Sequence, residues 1–220
     1  MYQINLWHNL CFYHVKSTVM KKINLILIAG IATLTFGACH QKTKVPDPIK
    51  EADSTNAAND TTRNDTSGKI AKIDDDDAKF MVRAASGGMA EVELGTLAAK
   101  KAVNPNVRAF GAMMVEDHSK ANKKLTALAA SIGVSLPQFP AKSEEDLDDK
   151  LIKKSPKDFD KAYVDAMVKD HQEDIKDFEK EINDAKSGAV KTFAQNTLPV
   201  LQKHLTAITA VQDSLEHKSK

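Results

Sequence analysis

An all-α four-helix bundle, built as two antiparallel helical hairpins joined by a longer connection, is what this 220-residue sequence predicts. Apolar residues recur at 3-4 spacing through four long segments between residues 74 and 217. The segments are bounded by cap and proline signals of helices. Nine Gly, seven Pro and 5% aromatic residues, with abundant Ala, Lys, Asp and Leu, favour helix over a sandwich or barrel.

Asp74 to Asp77 open the first segment, placing negative charge where the helix dipole favours it, and the helix is expected over about 75–103. Asn104-Pro105 is a cap followed by Pro at the first helical position, so the second helix runs over about 105–133, where Gly133 stops it. Ser155-Pro156 repeats the start signal for a third helix over 156–187, and a fourth follows Ser187-Gly188 over 189–216. Both tight turns make antiparallel neighbours. Between the hairpins lie Val134 to Ser155, with Pro137, Pro140 and a short helical stretch expected over 143–154. A 29-residue helix is about 44 Å long, a distance this link can traverse, so one long crossover is feasible; an up-down-up-down bundle is the alternative. Pro199 removes a hydrogen bond to the Gln195 carbonyl, predicting a kink or break near Asn196-Thr197.

Upstream of the bundle the chain changes character. Residues 1–38 contain Lys16, Lys21 and Lys22 and no acid, so the near-balance of 31 bases and 30 acids becomes slightly acidic without them. From Met20 the chain reads MKKINLILIAGIATLTFGAC, the basic, apolar and small-residue layout of a secretory signal. Its apolar run, about 14 residues, is shorter than the roughly 20 a transmembrane helix needs. Residues 1–19 match no part of that layout, which places the start of translation at Met20. Thr35-Phe36-Gly37-Ala38-Cys39 resembles a bacterial lipobox, with Phe36 departing from the usual aliphatic residue. The resemblance implies cleavage before Cys39, lipid on that cysteine, and a protein anchored in the bacterial envelope at the outer membrane; simple secretion to the periplasm is the alternative. Residues 39–73, rich in Thr, Asn, Asp and Lys, are expected to be a disordered tether, and 218–220 a tail. The charge balance lacks the basic footprint of a nucleic-acid binder.

The apolar seams carry the chemistry. The second helix reads Val107, Phe110, Met114, His118, Ala121, Leu125; the third Val164, Met167, His171, Ile175, Phe178; the fourth Thr197, Leu201, His204, Ile208, Val211. Each is interrupted once, by histidine. The first, with Met81, Gly88, Gly95 and Ala98, is interrupted by Glu91, while Glu93 falls towards the flank. Each interruption lies within about two residues of its helix midpoint, roughly 3 Å of rise, a level shared whichever way a helix runs. Glu91, His118, His171 and His204 are therefore expected to converge, and three His with a carboxylate form a first shell for one divalent transition metal, Zn, Cu or Fe. Asp117 and Asp170 sit beside two of the histidines as orienting partners or solvent-facing groups. Met-Val-x-Asp-His occurs at both 114–118 and 167–171, suggesting a duplicated hairpin. Its methionines offer soft ligands to reduced copper or serve as core filler.

The stretches AEVELGTLAAKKAVNPNVRAFGAMMVEDHSKAN, AYVDAMVKDHQEDIKDFEKEI and TLPVLQKHL resemble a bacterial family of predicted outer-membrane proteins of unknown function with ferritin-like bundles. The resemblance spans residues 75–216 and implies a ferritin-like helical fold in the envelope, with no activity attached. The Glu-x-x-His pairs of di-iron members of that fold are missing: Val115, Val168 and Leu201 stand three residues before the histidines. Three functions remain open. One is a non-enzymatic binding or structural role in which buried His and Glu hydrogen-bond each other. The second is a mononuclear metal-binding bundle, and the third a redox or hydrolytic metalloenzyme. No phosphate loop, nucleophile elbow or Cys pair points to another enzyme class. Protein partner and oligomeric state are not encoded in any motif.

Overall fold

In the computed structural model, residues 47–62 and 73–217 are described, and among them every regular element is a helix. They are α1 (Pro48–Thr62), α2 (Asp75–Lys101), α3 (Pro105–Ile132), α4 (Lys142–Ile152), α5 (Pro156–Asp184) and α6 (Gly188–His217). The signal segment, Cys39 and the tail lie outside the described residues. No described helix is long and apolar enough to cross a membrane.

The local signals act as expected at most boundaries. Asp74, Asn104 and Ser155 cap α2, α3 and α5 through their side chains, and Gly133 ends α3 in the left-handed conformation at φ 72°. The third long helix stops at Asp184, three residues before the expected end. The short connecting helix spans Lys142–Ile152 instead of 143–154.

The helices α2 and α3 form one antiparallel hairpin and α5 and α6 the other, with α3 against α6 and α2 against α5. Asp160 near the start of α5 accepts from Val103 N and Asn104 N, at 3.1 and 2.7 Å, in the α2–α3 turn. Asp77 near the start of α2 accepts from Lys186 N and Ser187 N, at 3.1 and 2.6 Å, in the α5–α6 turn. Each hairpin thus caps the turn of the other with a buried carboxylate. These contacts place the end of α3 and the start of α5 at opposite ends of the bundle. The segment 134–155 therefore traverses its length, the ferritin-like connection. It is pinned midway, where Ala141 N donates to both Ser86 Oγ and Glu144 Oε2 at 2.8 Å.

Two expectations are corrected. Within the stretch 39–73, expected to be a disordered tether, Pro48–Thr62 is helical, with Asp47 Oδ1 accepting from Ile49 N and Ala52 buried. Asn56 exchanges two hydrogen bonds with the backbone of Ser135, at 2.7 and 3.0 Å. That contact joins residues 79 apart, so local polarity could not announce it. Of the kink or break expected at Pro199, the break is absent, since the last helix runs continuously through it. Gln195 and Pro199 are exposed, so water can satisfy the freed carbonyl, while buried Phe193, Ala194 and Leu201 hold the flanking turns in the core.

The apolar core is divided. Phe80, Met81, Leu125, Phe178 and Phe193 form a cluster towards one end, and Val107, Phe110, Met114, Phe159, Tyr163 and Ile208 another towards the opposite end. Between them lies a layer of ionisable side chains. Close backbone approach sets its spacing: a Cβ on Gly95 would lie 2.7 Å from Gly111 O, and one on Gly111 would lie 2.6 Å from Gly95 O. Glu91 is one turn from that crossing and His118 two.

Candidate metal centre

Glu91, His118, His171 and His204 all occupy the polar layer, each no more than 5% exposed. The ring centroids of the histidines lie 5.2 to 5.9 Å apart. Phe110 packs edge-on against His171 and His204, closing one side with hydrocarbon.

Each imidazole has one nitrogen engaged and one free. His171 Nδ1 lies 2.9 Å from the Met167 carbonyl, which can only accept, so Nδ1 carries the hydrogen and Nε2 is the bare nitrogen. His204 Nε2 lies 3.1 Å from Asp117 Oδ2. Burial alone would raise the Asp117 carboxyl, but its bond to His204 and the nearby Lys203 and Lys120 charges outweigh that and hold it below its ordinary range. Ionised Asp117 accepts from Nε2 and leaves Nδ1 bare. His118 Nδ1 lies 2.7 Å from Glu91 Oε2, leaving Nε2. The three remaining nitrogens, His118 Nε2, His171 Nε2 and His204 Nδ1, are buried and make no hydrogen bond among the described residues. Glu91 Oε1 is in the same condition.

Electrostatics keep the rings neutral. Burial lowers His118 to about 4. Burial, with His118 and His204 as neighbours, lowers His171 to about 3, and burial lowers His204. Neutral imidazole is the ligand form. Burial pushes the Glu91 carboxyl well above its usual range, and the nearby Asp170 and Glu144 charges add to this. A cation in the layer would reverse that preference and favour the carboxylate.

One ligand atom from each histidine lies within 4.8 Å of the other two. Metal–ligand bonds near 2.1 Å in tetrahedral geometry put ligand atoms about 3.4 Å apart, so a shared ion would require the three to draw in by up to about 1.4 Å. Glu91 is not a member of that three-histidine group. It is orienting partner to His118 through Oε2, while Oε1 lies 3.5 Å from His171 Nε2, the spacing of two ligands on one ion.

Other predicted residues divide. Asp117 does orient a histidine, His204 on α6, across the helix interface from its sequence neighbour His118. Asp170 does not orient His171, whose Nδ1 is taken by Met167; it forms a second group of potential ligands with Glu91 and His171. Glu93 is exposed. Met114 and Met167 are fully buried in the core, Met167 serving the centre through its carbonyl. Two residues escaped the sequence reading. Asp174, one turn beyond Asp170, lines an internal cavity of about 30 Å³ together with Glu91, His118 and Asn122. The buried Tyr163 hydroxyl makes no hydrogen bond among the described residues, and burial beside Glu91 and Asp170 raises its pKa. Asp174 was detectable as an acid one helical turn from His171; Tyr163 gave no signal distinct from core filling.

Neither the curated proteins nor the solved structures contain a match to this chain. A family model described as a domain of unknown function, DUF4142, matches residues 62–211, which span α2 to most of α6 and every residue of the centre. With more than half its length matched, the chain belongs to the DUF4142 family.

Proposed function

We propose that this is a lipid-anchored envelope protein whose bundle binds one divalent transition-metal ion through His118, His171 and His204, with Glu91 as fourth ligand or orienting carboxylate. One observation carries the reading: four of the seven buried polar atoms without a hydrogen-bond partner among the described residues fall in this one layer, three of them imidazole nitrogens, while the opposite nitrogen of each ring faces an oxygen at 2.7 to 3.1 Å. A purely structural network satisfies its members, because an orphaned buried group costs about 1–3 kcal/mol. A ligand set held from behind by oxygen acceptors is built the other way. The adjoining cavity, about 30 Å³, has room for one water-sized ligand, which favours ion binding over catalysis on an organic substrate. Imidazole with carboxylate suits Zn, Cu or Fe.

The test uses the purified full chain with Zn²⁺, Co²⁺, Cu²⁺ and Fe²⁺ under anaerobic conditions. One equivalent should bind and raise the melting temperature, with about 2.7 kcal/mol gained at a hundredfold excess over Kd. His118→Ala and His171→Ala should each abolish the gain. Absence of uptake for every metal would favour the structural role, which the 2.7 Å Glu91–His118 contact supports. For the anchor, Cys39→Ala should release the protein from the membrane fraction and end incorporation of labelled fatty acid.

A further inference from the structure

Three spaces surround the polar layer. The internal cavity beside Glu91 and His118 shares Ala84, Gly87, Asp174 and Phe178 with a groove of about 550 Å³ between α2 and α5. On the opposite side it shares His118, Ala121, Thr197 and Leu201 with a smaller groove of about 100 Å³ between α3 and α6. The two openings differ in charge. The larger is lined by Glu144, Asp170, Glu173, Asp174 and Asp177, with Arg83 as the one base. The smaller carries Lys120 and Lys124 against a single Asp117.

Within the acidic groove the carboxylates are not equivalent. Arg83 pairs with Asp177 at 3.2 Å and Lys169 with Glu173 at 3.6 Å, and Glu144 accepts from Ser86 and Ala141. Asp170 and Asp174 have no ion pair or hydrogen bond among the described residues, and Asp174 also lines the internal cavity beside Glu91 and His118. Asp170 belongs with Glu91 and His171 to a set whose ligand atoms all lie within 4.8 Å of one another. In that set Glu91 Oε1 and His171 Nε2 are buried, lie 3.5 Å apart and make no hydrogen bond among the described residues.

His171 is common to this set and to the three-histidine set, yet it has a single free nitrogen. One nitrogen ligates one ion at a time, so the two sets are alternative positions for the same ion. We propose that the acidic groove between α2 and α5 is the cation entrance to the histidine centre, with Glu91, Asp170 and His171 as a station where a divalent ion is held before it passes to His118 and His204. His171 stays bound throughout while carboxylate oxygens are exchanged for imidazole nitrogens. The negative potential of the groove attracts cations, whereas at the smaller opening Lys120 is paired with Glu116 and Asp117, so no comparable excess of negative charge draws them there.

This inference rests on the metal-binding reading above, and its test separates the two. Co²⁺ is mixed with the full chain in a stopped-flow instrument and followed by its visible absorption, with the dissociation rate measured by chelator challenge. An entrance changes rates in both directions and leaves the equilibrium alone. Asp170→Asn and Asp174→Asn should each slow association about tenfold or more, and Asp174→Asn should slow dissociation in proportion and keep Kd within about twofold. Gly87→Leu, which changes no charge and projects from a position with no atom within 4 Å of an added Cβ, should do the same by obstructing the passage. Wild-type association should fall steeply with ionic strength. Unchanged rates in all three variants, with one Co²⁺ still bound, would overturn the entrance and leave the centre standing. A loss of affinity in Asp170→Asn without slower association would make Asp170 a ligand of the final centre and overturn the station. If the wild type takes up no Co²⁺, both proposals fall together.

Discussion

Glu91 Oε2 lies 2.7 Å from His118 Nδ1, joining α2 to α3 through two buried ionisable side chains at the junction of two apolar clusters. The pair spans the first hairpin, and Glu91 Oε1 and His118 Nε2 make no hydrogen bond among the described residues. Burial of such groups costs stability unless something compensates them.

Glu91→Gln distinguishes a site from a brace. The amide keeps the size and one oxygen acceptor for His118 but loses the charge that a cation needs. Metal affinity should fall 10- to 100-fold. The metal-free melting temperature should stay level or rise, since a desolvated carboxyl has been removed. A drop in metal-free stability without an effect on metal would assign the pair a structural role.

The reciprocal caps should be worth more than ordinary surface carboxylates. Asp160→Ala strands the N–H groups of Val103 and Asn104, and Asp77→Ala those of Lys186 and Ser187. Each should cost about 2–4 kcal/mol in chemical denaturation, because each removes two hydrogen bonds to a buried charge. Replacement of exposed Asp213 by Ala should change stability by less than about 0.5 kcal/mol.

Two glycines in adjoining helices should respond with opposite sign. At Gly87 an added methyl meets nothing within 4 Å, so Gly87→Ala should stabilise by roughly 0.5–1 kcal/mol through helix propensity. At Gly111 the methyl would sit 2.6 Å from Gly95 O, and Gly111→Ala should destabilise by about 1–3 kcal/mol by forcing α2 and α3 apart. The same variant should weaken metal binding, because the Glu91–His118 pair depends on that crossing.

Glu181 supplies a pH dependence away from the centre. Burial, reinforced by the neighbouring Asp77 carboxylate, pushes it up from its ordinary 4.5 to about 7. The native state then holds a proton that the unfolded state releases, so the stabilisation is complete below about pH 4.5 and is lost as pH rises through 7. Thermal unfolding of the wild type should show a loss of order 2 kcal/mol from this group between pH 5 and pH 8. Glu181→Gln should flatten that part of the profile and be the more stable protein at pH 8.

The helix ends illustrate how far local chemistry reaches. Asp74, Asn104-Pro105, Gly133 and Ser155-Pro156 each act through groups within four residues, so their boundaries are legible without neighbours. The last turn of α5 and the helix at Pro48–Thr62 are not, because the first is shaped by Asp77 from α2 and the second is held by Asn56 on Ser135. At Pro199 the lost hydrogen bond is visible in the sequence, but the packing of Phe193 and Leu201 that keeps the helix from breaking is not.

For the centre, periodicity alone determined that Glu91, His118, His171 and His204 share an interior level, since a 3.6-residue repeat fixes the face and the midpoint fixes the depth. Only the tertiary structure decided which atoms are committed. Asp117 turns to His204 on another helix, Met167 engages His171 through a backbone carbonyl, and Asp170 joins Glu91 in place of orienting its own neighbour. Those choices depend on helix rotation and crossing distance, set at Gly95 and Gly111, and a one-dimensional pattern carries no information about the angle at which two helices meet.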